Sequence, residues 1–303
     1  MTGLMSKTAN KLGRLSVLLI PFLWMTVFFL LPFLILLKIS FSQTRTGIPP
    51  YTEVFEWAGG LLFKIHGTME NFYFLISDSL YFAAYTNSIK IAAISTLICL
   101  LIGYPMALGI SRASPKVRNI LLLLVILPFW TSFLIRVYAW IGLLKNEGLI
   151  NHLLMALGII DQPLVMLHTP FAVYLGISYS YLPFMVLPLY ASLEKMDYSL
   201  LEAAADLGAK PMQAFLSVTI PQSMPGIIAG SMLVFIPAIG EFVIPDLLGG
   251  ANTLMIGKVL WNEFFLNRDW PLASAVAVIM LVILVLPLVL WQRHQQVLEE
   301  RDQ

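Results

Sequence analysis

Read for its apolar and polar positions, the chain is a series of long uncharged runs separated by short polar clusters. A helix that crosses a bilayer needs roughly 20 mostly apolar residues, because in lipid its backbone must satisfy its own hydrogen bonds. The runs that meet this length are Leu15–Leu37, Ile91–Ile110, Ile120–Leu144, Pro170–Tyr190, Met224–Ile244 and Leu272–Trp291. Arg136 interrupts the third and Glu241 the fifth. The apolar stretch Gly148–Gly158 is too short to span and predicts an interfacial helix. Lys7, Lys11 and Arg14 precede the first run, as in a signal peptide. The run exceeds the length of a signal h-region and no small-residue cleavage site follows it, so it is read as a retained span.

Composition turns the pattern into a class. Of 303 residues, 59% are hydrophobic and only 12% charged, and mean hydropathy is +0.84. A soluble domain carries roughly 25% charged residues, and so few here could not cover its surface. Disorder is excluded because it needs low hydrophobicity and high net charge. A net charge of +1 gives no field for nucleic acid. Cys99 is the single cysteine and cannot form an intramolecular disulfide. The expectation is an all-α integral membrane protein of six transmembrane helices, with an N-terminal tail at 1–14, a spanning region at 15–292 and a C-terminal tail at 293–303. Arg112, Lys116 and Arg118 follow the second run without an acid, as Lys7, Lys11 and Arg14 precede the first. Positive charge concentrates on the cytoplasmic side, so both clusters and both termini are expected inside. The stretch from Lys38 to Ala83 then falls outside. Its Pro49-Pro50 and Gly59-Gly60 pairs suggest turns, but the pattern assigns it no further structure.

Prolines recur within the runs: Pro32, Pro105, Pro128, Pro183, Pro188, Pro237 and Pro287. They read as kinks, since neighbouring helices in a membrane re-satisfy freed carbonyls. A helix broken around a pathway is expected only at Pro237, which stands close to a charge.

The most informative polar segment is the loop from 197 to 221. Ser199 and Glu202 have capping-box spacing, so a helix should start at Ser199. Leu200, Leu201, Ala203, Ala204 and Ala205 favour helix. Gly208 suits a left-handed C-terminal cap and Pro211 can open the next helix. The prediction is two short helices around a tight glycine turn on the cytoplasmic face. The pattern Glu202-Ala203-Ala204, three residues, Gly208, nine residues, Val218-x-Ile220-Pro221 resembles the EAA loop of ABC-importer permeases. Val218 and Ile220 stand where that family usually has Ile and Leu. The resemblance implies a type I ABC-importer permease fold whose cytoplasmic coupling helix docks in a cleft of a separate ATPase subunit. Glu202, Ala203, Ala204 and Gly208 would carry the contact.

Three stretches extend the resemblance along the chain: Leu127-Pro-Phe-Trp-Thr-Ser-Phe-Leu-Ile-Arg-Val-Tyr138, Glu241-Phe-Val-Ile-Pro-Asp-Leu-Leu-Gly-Gly250 and Asn267-Arg-Asp-Trp-Pro271. They are similar to the permeases of bacterial polyamine importers, the putrescine and spermidine systems, and most of all to the first permease subunits of the putrescine systems. The resemblance implies an inner-membrane assembly of this chain with a second homologous permease, two ATP-binding subunits and a periplasmic polyamine-binding protein. ATP and Mg would belong to the partner ATPases, with no cofactor on this chain. In keeping with this, the chain has no G-x-x-x-x-G-K-[ST] phosphate loop: Gly257-Lys258 is preceded by Asn252 and followed by Val259. His66, His152, His168 and His294 lack metal-ligand spacing, and no nucleophile–base pattern falls on one site. A non-catalytic transport subunit is the expectation. The alternatives are an ABC permease for another small solute, such as an amino acid or organic cation, and an ion-coupled secondary transporter.

A polyamine pathway wants carboxylates for charge, aromatics for cation–π contact and apolar walls for methylenes. Glu241 is the first candidate, since a carboxylate within a span has a functional role by default. Its alternative is a structural ion pair with Arg136. Phe129 and Trp130, with Thr131 and Ser132 next, are candidates for an aromatic constriction in mid-span, where Trp is less expected than at the interface. Their alternative is helix or lipid packing. Phe242, beside Glu241, completes the set. Asp246, Glu263, Arg268, Asp269 and Trp270 fall in the last outer loop, as contacts for a binding protein or simply as solvated charges.

Overall fold

The computed structural model describes residues 17, 19–57 and 63–301. The tail at 1–14 and the Gly59-Gly60 pair lie outside the described residues. The chain divides into two compact units, Met1–Asp78 with Leu260–Gln303, and Ser79–Val259.

In the first unit, α1 (Leu19–Ser40) is apolar and presents its hydrophobic side chains outward. A π turn, Thr26–Leu30, lies just ahead of Pro32. The missing proline N–H removes one ladder bond there and the helix widens locally. The stretch between Lys38 and Ala83, to which the sequence pattern assigns only turns, contains a two-stranded antiparallel hairpin and one short helix. Strands β1 (Phe55–Trp57) and β2 (Phe63–Ile65) pair with Glu56 opposite Lys64. Helix α2 (Glu70–Ser77) is tied down by Asn71, whose Nδ2 donates to the carbonyls of Ser40 at 2.9 Å and Ser42 at 2.8 Å. A long C-terminal helix, numbered α12 in chain order (Trp270–Arg301), packs against α1 and α2. Asp269 starts it by accepting from the N–H of Leu272 at 3.0 Å, and also receives the Thr44 hydroxyl at 2.6 Å.

The second unit is built on three long helices: α3 (Ser79–Arg112), α7 (Pro170–Glu194) and α9 (Pro211–Ile239). Their mutual contact makes the core, with Cys99, Tyr104, Met185, Leu189, Leu193 and Val234 buried together. Small residues let the backbones approach, as is usual in membranes. A Cβ on Gly226 would lie 2.8 Å from the carbonyl oxygen of Pro188, and one on Gly230 would lie 3.0 Å from that of Met185. Tyr104 and Ser223 share a buried hydrogen bond of 2.8 Å between α3 and α9. Pro105, Pro183 and Pro188 sit inside continuous helices, as kinks would.

Two expectations about the spans are corrected. The third is not one helix. Helix α4 (Pro115–Ile126) tightens into a 3₁₀ turn at Leu127–Trp130, the chain extends at Thr131 and Ser132, and α5 (Phe133–Leu144) sets off anew. The arms Pro115–Trp130 and Phe133–Ala156 are bent by 90°. Pro128 begins the break, so a broken helix occurs here as well as near Pro237. The fifth span starts earlier and ends earlier than expected. Helix α9 runs from Pro211, with a π turn at Phe215–Thr219 just ahead of Pro221, and stops at Ile239. Gly240, Glu241 and Phe242 form a non-helical link to α10 (Val243–Leu248). Four single helices are long and apolar enough to cross a membrane, five if the bent pair counts as one, and the apolar part of α12, Trp270–Leu286, is slightly shorter. Length and composition among the described residues thus do not reach six.

Between these elements lie α6 (Leu149–Ala156), the short apolar helix expected near Gly148, α8 (Ser199–Asp206) and α11 (Ile256–Trp261). Buried Asn151 anchors α6, bonding the backbone of Leu164 in both directions at 2.9 Å.

Candidate functional site

Two places in the second unit gather chemistry. The first is a cavity of about 510 Å³. Phe129, Phe133 and Arg136 from the bent third element, Ser180, Tyr181 and Phe184 from α7, and Pro237 with Gly240 to Val243 beyond the end of α9 line it. The two broken helices supply most of this lining and α7 the rest; at the second break the non-helical backbone from Gly240 to Phe242 itself faces the cavity.

Glu241 sits in the second break and is only 8% exposed. Its Oε1 accepts from the backbone N–H groups of Phe242 at 3.1 Å, Val243 at 3.0 Å and Ile244 at 3.4 Å. Its Oε2 accepts the Tyr181 hydroxyl at 2.6 Å. An uncompensated carboxylate at this depth would cost several kcal/mol. Here the donors at the start of α10 and the tyrosine offset that cost, and they explain why the chain can turn at Gly240. The alternative partner considered for Glu241 was Arg136. Both line the cavity, but among the described residues no ion pair joins them. The Arg136 guanidinium instead lies over two rings, its Cζ 5.4 Å from the centre of Phe129 and 5.8 Å from that of Phe133. Its Nε and Nη1 are buried without a hydrogen-bond partner. Phe184 meets Phe129 edge-on at 5.2 Å and lies tilted against Tyr181 at 6.1 Å, so these three rings form a continuous wall.

Of the pathway residues named from sequence, the fold brings Phe129, Glu241 and Phe242 to the cavity. Trp130, Thr131 and Ser132 are exposed at the break and are not part of its lining, and Trp130 is 74% exposed. The peptide after Pro128 turns successive side chains apart, so neighbours in sequence do not share a wall. Sequence reasoning missed Tyr181, Phe184 and Phe133. Tyr181 lies in an α7 segment with hydroxyls at Tyr179, Ser180 and Tyr181, a polar cluster within an apolar run that could have marked it.

The second place is the loop after α7. Helix α8 begins at Ser199, as expected, but no capping box forms. Asp197 takes that part: its Oδ1 accepts the N–H of Ser199 at 2.9 Å. Hydrogen bonding from the Ser199 side chain, and then from its backbone N–H, holds the Asp197 carboxyl below the usual carboxylate range. Gly208 adopts φ +81°. Its N–H bonds Ala205 and that of Ala209 bonds Ala204, the reciprocal pattern that ends a helix at a left-handed glycine. Pro211 opens a helix, but not a short one, since it continues as α9. Glu202, Ala203 and Gly208 are exposed and Ala204 is half-buried. Leu207 at 89% and Met212 at 66% are also exposed, an apolar surface the sequence pattern did not single out. Among the described residues no three of His, Cys, Asp and Glu gather as metal ligands would.

Residues 99–296 match the family described as binding-protein-dependent transport system inner membrane component. The chain belongs to this family. As such an inner membrane component it is a multi-pass transport subunit, and both the cavity and the exposed loop fall within the matched residues. Among its relatives, the spermidine/putrescine transport system permease protein PotB of Haemophilus influenzae is 43% identical over 292 residues, covering 96% of this chain and 97% of that protein. PotB of Escherichia coli K12 is 42% identical over 92% of this chain and 96% of its own length. The fold is shared with a bacterial ABC transporter that imports the acidic polysaccharide alginate, at TM-score 0.68 and 18% identity over 96% of this chain and 97% of that one.

Proposed function

We propose that this chain is the transmembrane permease subunit of an ATP-driven ABC importer for polyamines, spermidine or putrescine. The observation that carries this reading is the identity of 42–43% to spermidine/putrescine permeases over nearly the whole of both chains. The cavity agrees with it: a carboxylate, a continuous aromatic wall and apolar sides suit a flexible chain of methylenes and ammonium groups. In this reading both termini are cytoplasmic and the chain crosses the membrane six times. A second permease completes the pathway, and a periplasmic binding protein delivers the polyamine. Two separate subunits bind Mg-ATP and hydrolyse it. The exposed surface of α8, with Glu202, Ala203, Ala204 and Gly208, docks on one of them and transmits its closure to α9, with which it shares the Gly208 turn. Leu207 and Met212 fit this role, since exposed apolar side chains of this size are usually covered by a partner.

The test is uptake of labelled putrescine and spermidine into proteoliposomes holding the whole complex, with and without ATP and binding protein. ATP-dependent uptake of either polyamine is expected. A complex that hydrolyses ATP in response to another solute, and moves neither polyamine, overturns the substrate class.

A further inference from the structure

The two charged side chains lining the cavity are in opposite situations. Glu241 has donors from four groups of its own chain on its two oxygens. Arg136 has two buried nitrogens with no acceptor, and its charge rests on the faces of Phe129 and Phe133. A protonated polyamine offers donors only, so it cannot satisfy Arg136. It would also seek the aromatic faces of the lining, since ring faces within about 6 Å attract cations. The guanidinium already occupies two of them, those of Phe129 and Phe133. The charges of the lining residues, +1 at Arg136 and −1 at Glu241, sum to zero.

We propose that Arg136 is a specificity and release residue, a tethered cation that keeps this cavity electroneutral and the faces of Phe129 and Phe133 occupied, so that a polycation passes without being held. The inference rests on the polyamine reading. Its physical ground is that a pathway must attract its substrate enough to admit it and too weakly to retain it. With five aromatic rings and a carboxylate, the cavity without Arg136 would be a binding site for ammonium groups. With Arg136 it is a passage. In the sequence the residue is a charge within a span, whose one named use is the alternative reading of an ion pair with Glu241.

The experiment is equilibrium binding of labelled spermidine to the purified full complex without binding protein or ATP, together with ATP-dependent uptake by the same complex in proteoliposomes. Arg136→Gln removes the charge while keeping a polar side chain. It is expected to bind spermidine about tenfold tighter than wild type or more, because a like charge lining the same cavity is removed. Uptake should then saturate at lower polyamine concentration and turn over more slowly. Arg136→Lys restores the charge and should bring binding back toward wild type. The double variant Arg136→Gln with Glu241→Gln restores neutrality and should abolish the gain in binding. Arg136→Gln in an assembled complex that loses uptake without gaining binding assigns Arg136 to structure and overturns the proposal, as does unchanged binding. Wild-type complex that takes up no polyamine with ATP and binding protein present brings down the polyamine reading, and the proposal with it.

Discussion

The loop around α8 and the cavity around Glu241 belong to the same compact unit but are made in different ways. The loop is local. Asp197, Ser199, Gly208 and Pro211 act on backbone within a few residues of themselves, and the helix and its turn follow. The cavity is assembled from residues 129–136, 180–184 and 237–243, which meet only because two helices break and three pack. Changes in the loop should therefore alter how movement is transmitted and leave the cavity intact. Changes in the cavity should alter what passes and leave the loop able to dock.

The largest effect should come from Glu241→Ala. It orphans the N–H groups at the start of α10 and the Tyr181 hydroxyl, at roughly 1–3 kcal/mol for each buried group left unpaired. We expect loss of uptake together with a lower yield of assembled complex, measured by size exclusion. Glu241→Gln separates charge from structure. Its carbonyl can still accept backbone N–H groups, so assembly should survive while uptake falls, and full uptake by this variant would remove the carboxylate charge from the transport role. Next comes Gly208→Val in the loop. No atom lies within 4 Å of a Cβ there, so the cost is backbone strain alone, about 1–2 kcal/mol for a side chain in the left-handed region. Uptake and stimulated ATP hydrolysis should fall together, while spermidine binding by the complex stays at the wild-type level. A change in that binding would mean the two regions are not separable.

A smaller, paired effect tests the cavity wall. Phe129→Ala removes a ring face beneath Arg136 and should change the uptake KM by about fivefold. Trp130→Ala, one residue on and outside the cavity, should change it much less. Equal effects would place Trp130 back in the pathway. The smallest effect is expected from Asp197→Asn, which keeps an acceptor for the Ser199 N–H. The Asp197 carboxyl is held below its ordinary value, so its contribution is present above the usual carboxylate range near about pH 3.9 and is lost as pH falls through the depressed value. Variant and wild type should therefore show parallel uptake between about pH 6 and pH 8.

The legible parts of this protein were those whose cause lies close by in the chain. Gly208 marked its own turn because a left-handed cap needs a residue without a side chain. The helix start at Ser199 was also legible, yet its cap was not: Ser199 and Glu202 have capping-box spacing, but the backbone path brings the carboxylate of Asp197 to the Ser199 N–H. Arg136 and Glu241 were recognisable as costly charges within apolar runs. That each would be offset differently, one by N–H groups and a tyrosine and the other by two phenyl rings, was not.

The sequence by itself determined the membrane class, through apolar runs too long and charges too few for water. It also determined the loop, through capping and glycine geometry that acts over three or four residues, and the family, through motifs in register. The tertiary structure alone decided the 90° bend after Pro128, the early end of α9 and the membership of the cavity. A proline permits a break but does not set its angle. The angle comes from packing against helices far away in the chain, and it places Phe129 in the cavity wall and leaves Trp130 outside it.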